Sequence, residues 1–238
     1  MTGRAPHTPA AFPAAAEIER ASALCLRPAP GKLAGFFGTG AHRLALRALA
    51  RPLLAGEPVV AVDGGNRFDP YEIGKAERAL GGSGRVVLSR ILVSRAFTCH
   101  QMEALLARRL GPALDRSGAR IAVVFGLPET FTDADVPFAE ACRIFRSCLS
   151  SLRRLAAGGT RVVLVGEGNA PGLPGNRVGF FRHLVRIADP CLLLRREDRA
   201  EILLQTGRGH SCNERLEPRR CPRWEMSPMG DVPRKGVR

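Results

Sequence analysis

From Lys32 onward, short apolar runs alternate with longer stretches in which apolar residues recur every three or four positions. The short runs are Leu33–Phe37, Val59–Asp63, Ile91–Arg95, Ile121–Phe125 and Arg161–Val165. Most are rich in β-branched residues and continuously apolar, which predicts strands covered on both faces. The periodic stretches predict helices over Arg43–Leu54, Tyr71–Leu80, Thr98–Leu110 and Val136–Ala157. The last is the clearest: Phe138, Ala141, Cys142, Phe145, Cys148, Leu149, Leu152 and Leu155 form one stripe, with Arg143, Arg146, Arg153 and Arg154 off it. Strands alternating with helices in this way predict an α/β domain with a mostly parallel central sheet flanked by helices. A helix over Phe180–Ala188 and two further strands, Cys191–Arg195 and Glu201–Gln205, follow. The polar turn Arg196–Arg199 between those strands predicts a closing antiparallel hairpin.

The flanks read differently. Residues 1–13 are rich in Ala and Pro, which predicts disorder, and Ala14–Leu26 predicts a short helix ended by Pro28 and Pro30. Residues 207–238 carry Pro, Arg and Gly with little periodicity and read as a basic, disordered tail. The expected organisation is a flexible segment over 1–30, a core domain over 31–206 and the tail over 207–238.

Charge and cysteine usage sharpen this. Basic residues number 36 against 22 acidic ones, a net charge of +14, and only Lys32, Lys75 and Lys235 are lysines. Such a surplus favours a polyanionic partner, with nucleic acid first and an acidic protein face second. The seven cysteines have no regular spacing, and no apolar run approaches the ~18 residues needed to cross a bilayer. Reduced thiols, a cytoplasmic location and no membrane partner are the expectations.

Residues 35–42 read Gly-Phe-Phe-Gly-Thr-Gly-Ala-His. A phosphate-binding loop follows G-x-x-x-x-G-K-[ST], where glycines curl the backbone around phosphates, Lys reaches the β/γ-phosphates and Ser/Thr ligates Mg²⁺. Gly35 and Gly40 hold the glycine spacing, with Gly38 and Thr39 between them. Ala41 stands at the Lys position and His42 at the hydroxyl position.

Three more segments follow in order. Val59–Tyr71 is an apolar strand ending in Asp63, then Asp69-Pro70. Val93–Gln101 contains Arg95-Ala96-Phe97 followed by His100-Gln101. Arg120–Pro137 is a strand and loop leading into the long amphipathic helix. Together with the glycine segment, they resemble the RecA/RadA recombinase family across residues 31–206. The resemblance implies a RecA-like P-loop core, ATP at subunit boundaries, homo- or hetero-oligomers and a role in DNA recombination and repair. It also implies that Asp69 lies near the adenine.

Position by position, the resemblance also implies a degenerate ATPase site. Gly65 falls at the water-activating Glu and Gly126 at the Walker B Asp, in addition to Ala41 and His42. Phosphoryl transfer depends on those charges, so hydrolysis is expected to be lost. Backbone N–H groups over Gly38–Ala41 leave room for weak ATP or ADP binding, although a simple turn is the preferred reading. No catalytic residue and no metal ligand set is assigned. Glu129, Asp133 and Asp135 read as a solvated acidic loop, with Asp135 as a helix cap, and His210, Cys212 and Cys221 match no zinc spacing. Glu167, after the fifth strand, is the best acidic candidate in the expected crevice, without an identifiable partner.

The family's DNA-binding loops correspond to Gly126–Asp135, which is acidic, and Gly166–Arg177, whose one cation is Arg177. Arg177 and the tail residues Arg219, Arg220 and Arg223 are therefore the candidate nucleic-acid contacts. The expected function is a non-hydrolysing recombinase paralogue working through DNA or a repair protein. The alternatives are an active ATPase of the same family, and a regulatory scaffold of the same fold without nucleic-acid contact.

Overall fold

The computed structural model describes residues 15–82, 85–167, 174–194 and 200–201. The expected disorder of residues 1–13, the tail with Arg219, Arg220 and Arg223, and most of the second hairpin strand lie outside them. Six parallel strands form the sheet: β1 (Leu33–Gly38), β2 (Val59–Asp63), β3 (Ile91–Arg95), β4 (Ile121–Phe125), β5 (Arg161–Gly166) and β6 (Ala188–Leu194). A two-residue β7 (Ala200–Glu201) pairs antiparallel with the end of β6, and the order is β3-β2-β4-β5-β1-β6-β7. The register keeps β1 aligned with β5 from Leu33↔Val162 to Phe37↔Gly166, and with β6 as far as Gly38↔Leu194.

Side-chain alternation divides the strands between two cores. Leu33, Phe37, Val60, Val62, Ala122, Val124, Val162 and Leu164 face one layer; Ala34, Phe36, Val59, Ala61, Ile121, Val123, Phe125, Val163 and Val165 face the other. The first core is covered by α6 (Cys99–Ala104), α7 (Leu110–Ser117), α8 (Phe138–Ala157) and α9 (Val178–Ile187). The second is covered by α1 (Ala15–Cys25), α2 (Ala41–Ala48), α3 (Ala50–Leu54) and α4 (Pro70–Ala79), with the short α5 (Arg85–Leu88) beside them. Burial on both faces explains why these strands are continuously apolar.

Two expectations about helices are corrected. The helix from Thr98 does not stop at Leu110. Pro112 cannot donate to the carbonyl four residues back and would crowd it. A π-helical turn over Leu105–Arg109 widens the spiral ahead of it, and the helix continues to Ser117, ending at Gly118 with φ +65°. The long helix begins at Phe138, not Val136. Pro137 takes the cap position, and the Asp133 carboxylate instead accepts the Asp135 N–H at 2.9 Å.

Candidate functional site at the carboxyl ends of the strands

The connection leaving β1 runs through α2 and α3 on one face of the sheet, whereas the connection leaving its neighbour β5 runs through α9 on the other. The same divergence separates β2, followed by α4, from β4, followed by α8. Open α/β sheets form ligand crevices outside the carboxyl ends of strands where connections part in this way. Residues after β1, β2, β4 and β5 meet there.

The glycine segment is the first surprise. Gly35 is not part of a loop: β1 continues through it to Gly38, paired with β5 on one side and β6 on the other. The reason is the alternation of Phe36 and Phe37, both fully buried and on opposite faces of the sheet, each contributing about 2 kcal/mol or more of burial. A loop at these positions would bring both rings into water. The turn therefore shrinks to Thr39 and Gly40. Gly38 (φ +95°) and Gly40 (φ +81°) supply the left-handed backbone, and the Thr39 N–H is taken by the Leu194 carbonyl at 3.2 Å. Ala41, at the supposed Lys position, packs its methyl into the core beneath α2.

His42 follows one residue later, and its side chain is only 5% exposed. Its ring stacks on Phe125 at the end of β4, with centroids 5.8 Å apart and planes within 19°. The Nδ1 atom lies 3.3 Å from Glu167 Oε1, within ion-pair reach. Neither ring nitrogen has an aligned hydrogen-bond partner. Burial dominates and holds the imidazole below its ordinary pKa; Glu167 and Asp63 pull it back up, and Arg67 pushes further down. Glu167 thus acquires the partners that its sequence position did not reveal: His42, and Arg67, whose Nη2 lies 3.9 Å from its Oε2. The Glu167 N–H donates to Glu129 Oε1 at 3.5 Å, a long bond. Burial raises the pKa of the Glu129 carboxyl, backbone N–H groups oppose that, and its Oε2 is buried without a partner.

Asp63 builds the loop that presents Arg67. Its buried carboxylate accepts the N–H groups of Gly65 (3.2 Å), Arg67 (3.0 Å) and Phe68 (3.0 Å), with Arg95 Nε 3.9 Å away. Charge-assisted bonds of this kind hold a short loop firmly. Asp69 is occupied as the cap of α4, accepting the Tyr71 N–H at 2.9 Å. Arg67 went unnoticed in the sequence; the signal available was an Asp ending a strand four residues before it, able to gather the intervening N–H groups.

Arg177 is corrected outright. It is 2% exposed and donates to the carbonyl oxygens of Phe131 (2.8 Å), Asp133 and Val136, so it pins the loop after β4 and cannot reach a nucleic-acid phosphate. The acidic trio also separates: Glu129 turns into the crevice, while Asp133 and Asp135 stay exposed. Among the described residues no group of three or more His, Cys, Asp or Glu could hold a metal ion, and no helix is long and apolar enough to cross a membrane. Burial pushes the thiols of Cys25, Cys148 and Cys191 up to about 12, which removes them as nucleophiles near neutrality.

No protein-family model and no curated protein matches this chain.

The crevice therefore joins a neutral buried imidazole to two carboxyl groups and one guanidinium, and two of these groups should respond to pH in opposite senses. His42 is depressed, so its share of stability is present above about pH 6.5 and is lost as pH falls through its folded value. Glu129 is raised, so its share is present below about pH 4.5 and is lost as pH rises through its folded value. Urea midpoints should show His42→Phe flattening the acid side of the stability profile. Glu129→Gln should raise the midpoint at pH 7 more than at pH 4.5. Parallel profiles for wild type and both variants would refute the assignment.

Proposed function

We propose that this chain is a RecA/RadA-like recombinase paralogue that does not hydrolyse ATP and serves as an accessory in DNA recombination and repair, acting through DNA or a protein partner. The observation that carries the loss of hydrolysis is the two-residue turn after β1. A phosphate cradle needs free backbone N–H groups in a concavity. Here the Thr39 N–H is already bonded to Leu194, and the start of α2 faces the carboxylate of Glu167 through His42. A triphosphate would meet negative charge where its own should be received.

Kinship with the family rests on the resemblance of the four segments. It is supported by their setting: a parallel sheet in which the glycine turn joins an interior strand to a helix, and Asp63 ends β2, an apolar strand of the same sheet separated from β1 by β4 and β5. The reading of an assembly partner follows from the same resemblance.

Titration of the full chain with fluorescent ATP and Mg²⁺ tests the central point. No saturable binding is expected up to about 1 mM, the upper end of ordinary enzymatic affinities. Saturable binding accompanied by phosphate release that disappears in Glu167→Ala would replace this reading with that of an active ATPase. Co-sedimentation with preassembled RecA-type filaments tests the accessory role; a chain that stays in the supernatant at every filament concentration would remove it.

A further inference from the structure

Among the described residues the cations are unevenly neutralised. On the layer carrying α1–α4, Arg47 and Lys75 both pair with Glu72, and Arg51 pairs with Glu19. On the opposite layer Arg143 of α8 pairs with Glu103 and Glu140. The remaining arginines of α8 and α9 have no acidic partner among the described residues. These two helices contain six arginines and a single acid, Glu140, which lies in the first turn of α8.

The two helices are locked side by side. Phe145 of α8 stacks on Phe180 of α9 with centroids 4.4 Å apart, and its ring meets His183 edge-on at 6.0 Å. Arg146 and Arg153 are two turns apart on one flank of α8 and are exposed. Arg182 and Arg186 are one turn apart on the outer face of α9, and Arg186 Nη2 lies 3.0 Å from His183 Nδ1. Burial, and then the charges of Arg186 and Arg153, hold His183 below its ordinary pKa.

We infer that Arg146, Arg153, Arg182 and Arg186 form a docking face for the phosphate backbone of nucleic acid. Charge complementarity selects the occupant: four exposed guanidiniums without acids between them repel one another unless polyanion or salt screens them. Two helical turns cover about 10 Å, the axial rise of about three phosphates along one strand of a duplex. Arginine binds phosphate oxygens in a bidentate manner, and a backbone-only contact carries no base sequence preference. The face shares no residue with the crevice at the strand ends. The choice of DNA as probe rests on the repair reading above.

The test is fluorescence anisotropy of labelled duplex and single-stranded DNA of equal length against the full chain across a salt series. The variant is Arg146→Gln/Arg153→Gln/Arg182→Gln/Arg186→Gln. A control removes the same charge elsewhere, at Arg27, Arg78, Arg116 and Arg120, also as Gln. The four-arginine variant is expected to make the slope of log affinity against log salt shallower by about three to four, with the control nearer to wild type. Equal slopes for variant and control would overturn the face while leaving the repair reading in place. A wild-type chain that binds neither DNA at low salt would overturn the face and leave the repair reading to a protein partner alone, which the filament co-sedimentation tests. Competition by polyglutamate as strong per charge as by DNA would assign the face to acidic polypeptide and overturn the nucleic-acid inference.

Discussion

Gly126→Asp, which would place an acid where the recombinase resemblance expects one after β4, is expected to destabilise the protein by about 4 kcal/mol and to confer no ATP hydrolysis. The cause lies at the β-carbon, before the carboxylate matters. Gly126 has φ +63°, and a β-carbon built there would sit 2.5 Å from the backbone nitrogen of Gly65 and 2.8 Å from its α-carbon. Both neighbours are main chain, so no rotamer change relieves the overlap. The loop after β2 would have to lift, and with it the three N–H bonds that Asp63 collects from Gly65, Arg67 and Phe68. Asp tolerates positive φ better than most residues, so backbone strain is the smaller part and overpacking the larger. A loss of this size corresponds to a fall in Tm of roughly 10 °C for a domain of this length. Gly126→Ala should cost nearly as much, because the methyl alone produces the overlap. A Gly126→Asp protein that melts with wild type would show that the crevice floor is not packed as described.

That packing explains why some of the molecule was readable from residues and some was not. The strands Val59–Asp63 and Ile121–Phe125 are buried throughout and fall at the bounds their apolar runs predict; Ile91–Arg95 also falls at its bounds, but as a half-exposed edge strand with Leu92 facing solvent and not one covered on both faces. A strand covered on both faces needs apolar residues at every position, and little else in the chain satisfies that. The glycine segment failed for the complementary reason. Glycine spacing over 35–40 is compatible with a phosphate loop or with a strand and tight turn, and nothing local to the glycines separates the two. The deciding feature was between them: Phe36 and Phe37 demand burial in two different cores, which only an extended backbone provides. In the crevice, Glu167 was visible because its position after β5 lies on the switch between β1 and β5. His42 stands in the sequence where a phosphate loop has its Mg²⁺-binding hydroxyl, yet its environment is an aromatic ring and a carboxylate. Arg67 depended on a loop conformation set by Asp63, a tertiary choice with only a faint local signature. The helix continuing past Gly111-Pro112 broke the ordinary rule that proline stops a helix, through one widened turn.

Arg177→Ala is the second substitution with a large expected effect, about 3–5 kcal/mol, and it decides between two roles for one residue. The guanidinium is buried at the start of α9 and donates to the carbonyls of Phe131, Asp133 and Val136, spanning the segment that leads from β4 into α8. Those carbonyls belong to a short 3-10 turn and the irregular chain after it. Truncation leaves three buried or half-buried acceptors and a cavity, while the Nε of Arg177, already without a partner, adds nothing that would be missed. Arg177→Lys should recover less than half of the loss, since an ammonium at one point cannot span three carbonyls as a planar fork does. Limited proteolysis should locate the damage between residues 127 and 137 before global unfolding, because that segment depends on the latch more than the sheet does. The competing role, a phosphate contact in the loop before α9, makes the opposite forecast: unchanged urea stability for Arg177→Ala and a salt slope for DNA binding shallower by about one. The buried fork with three carbonyl acceptors favours the first outcome, and measurement of both quantities on one variant separates the two roles.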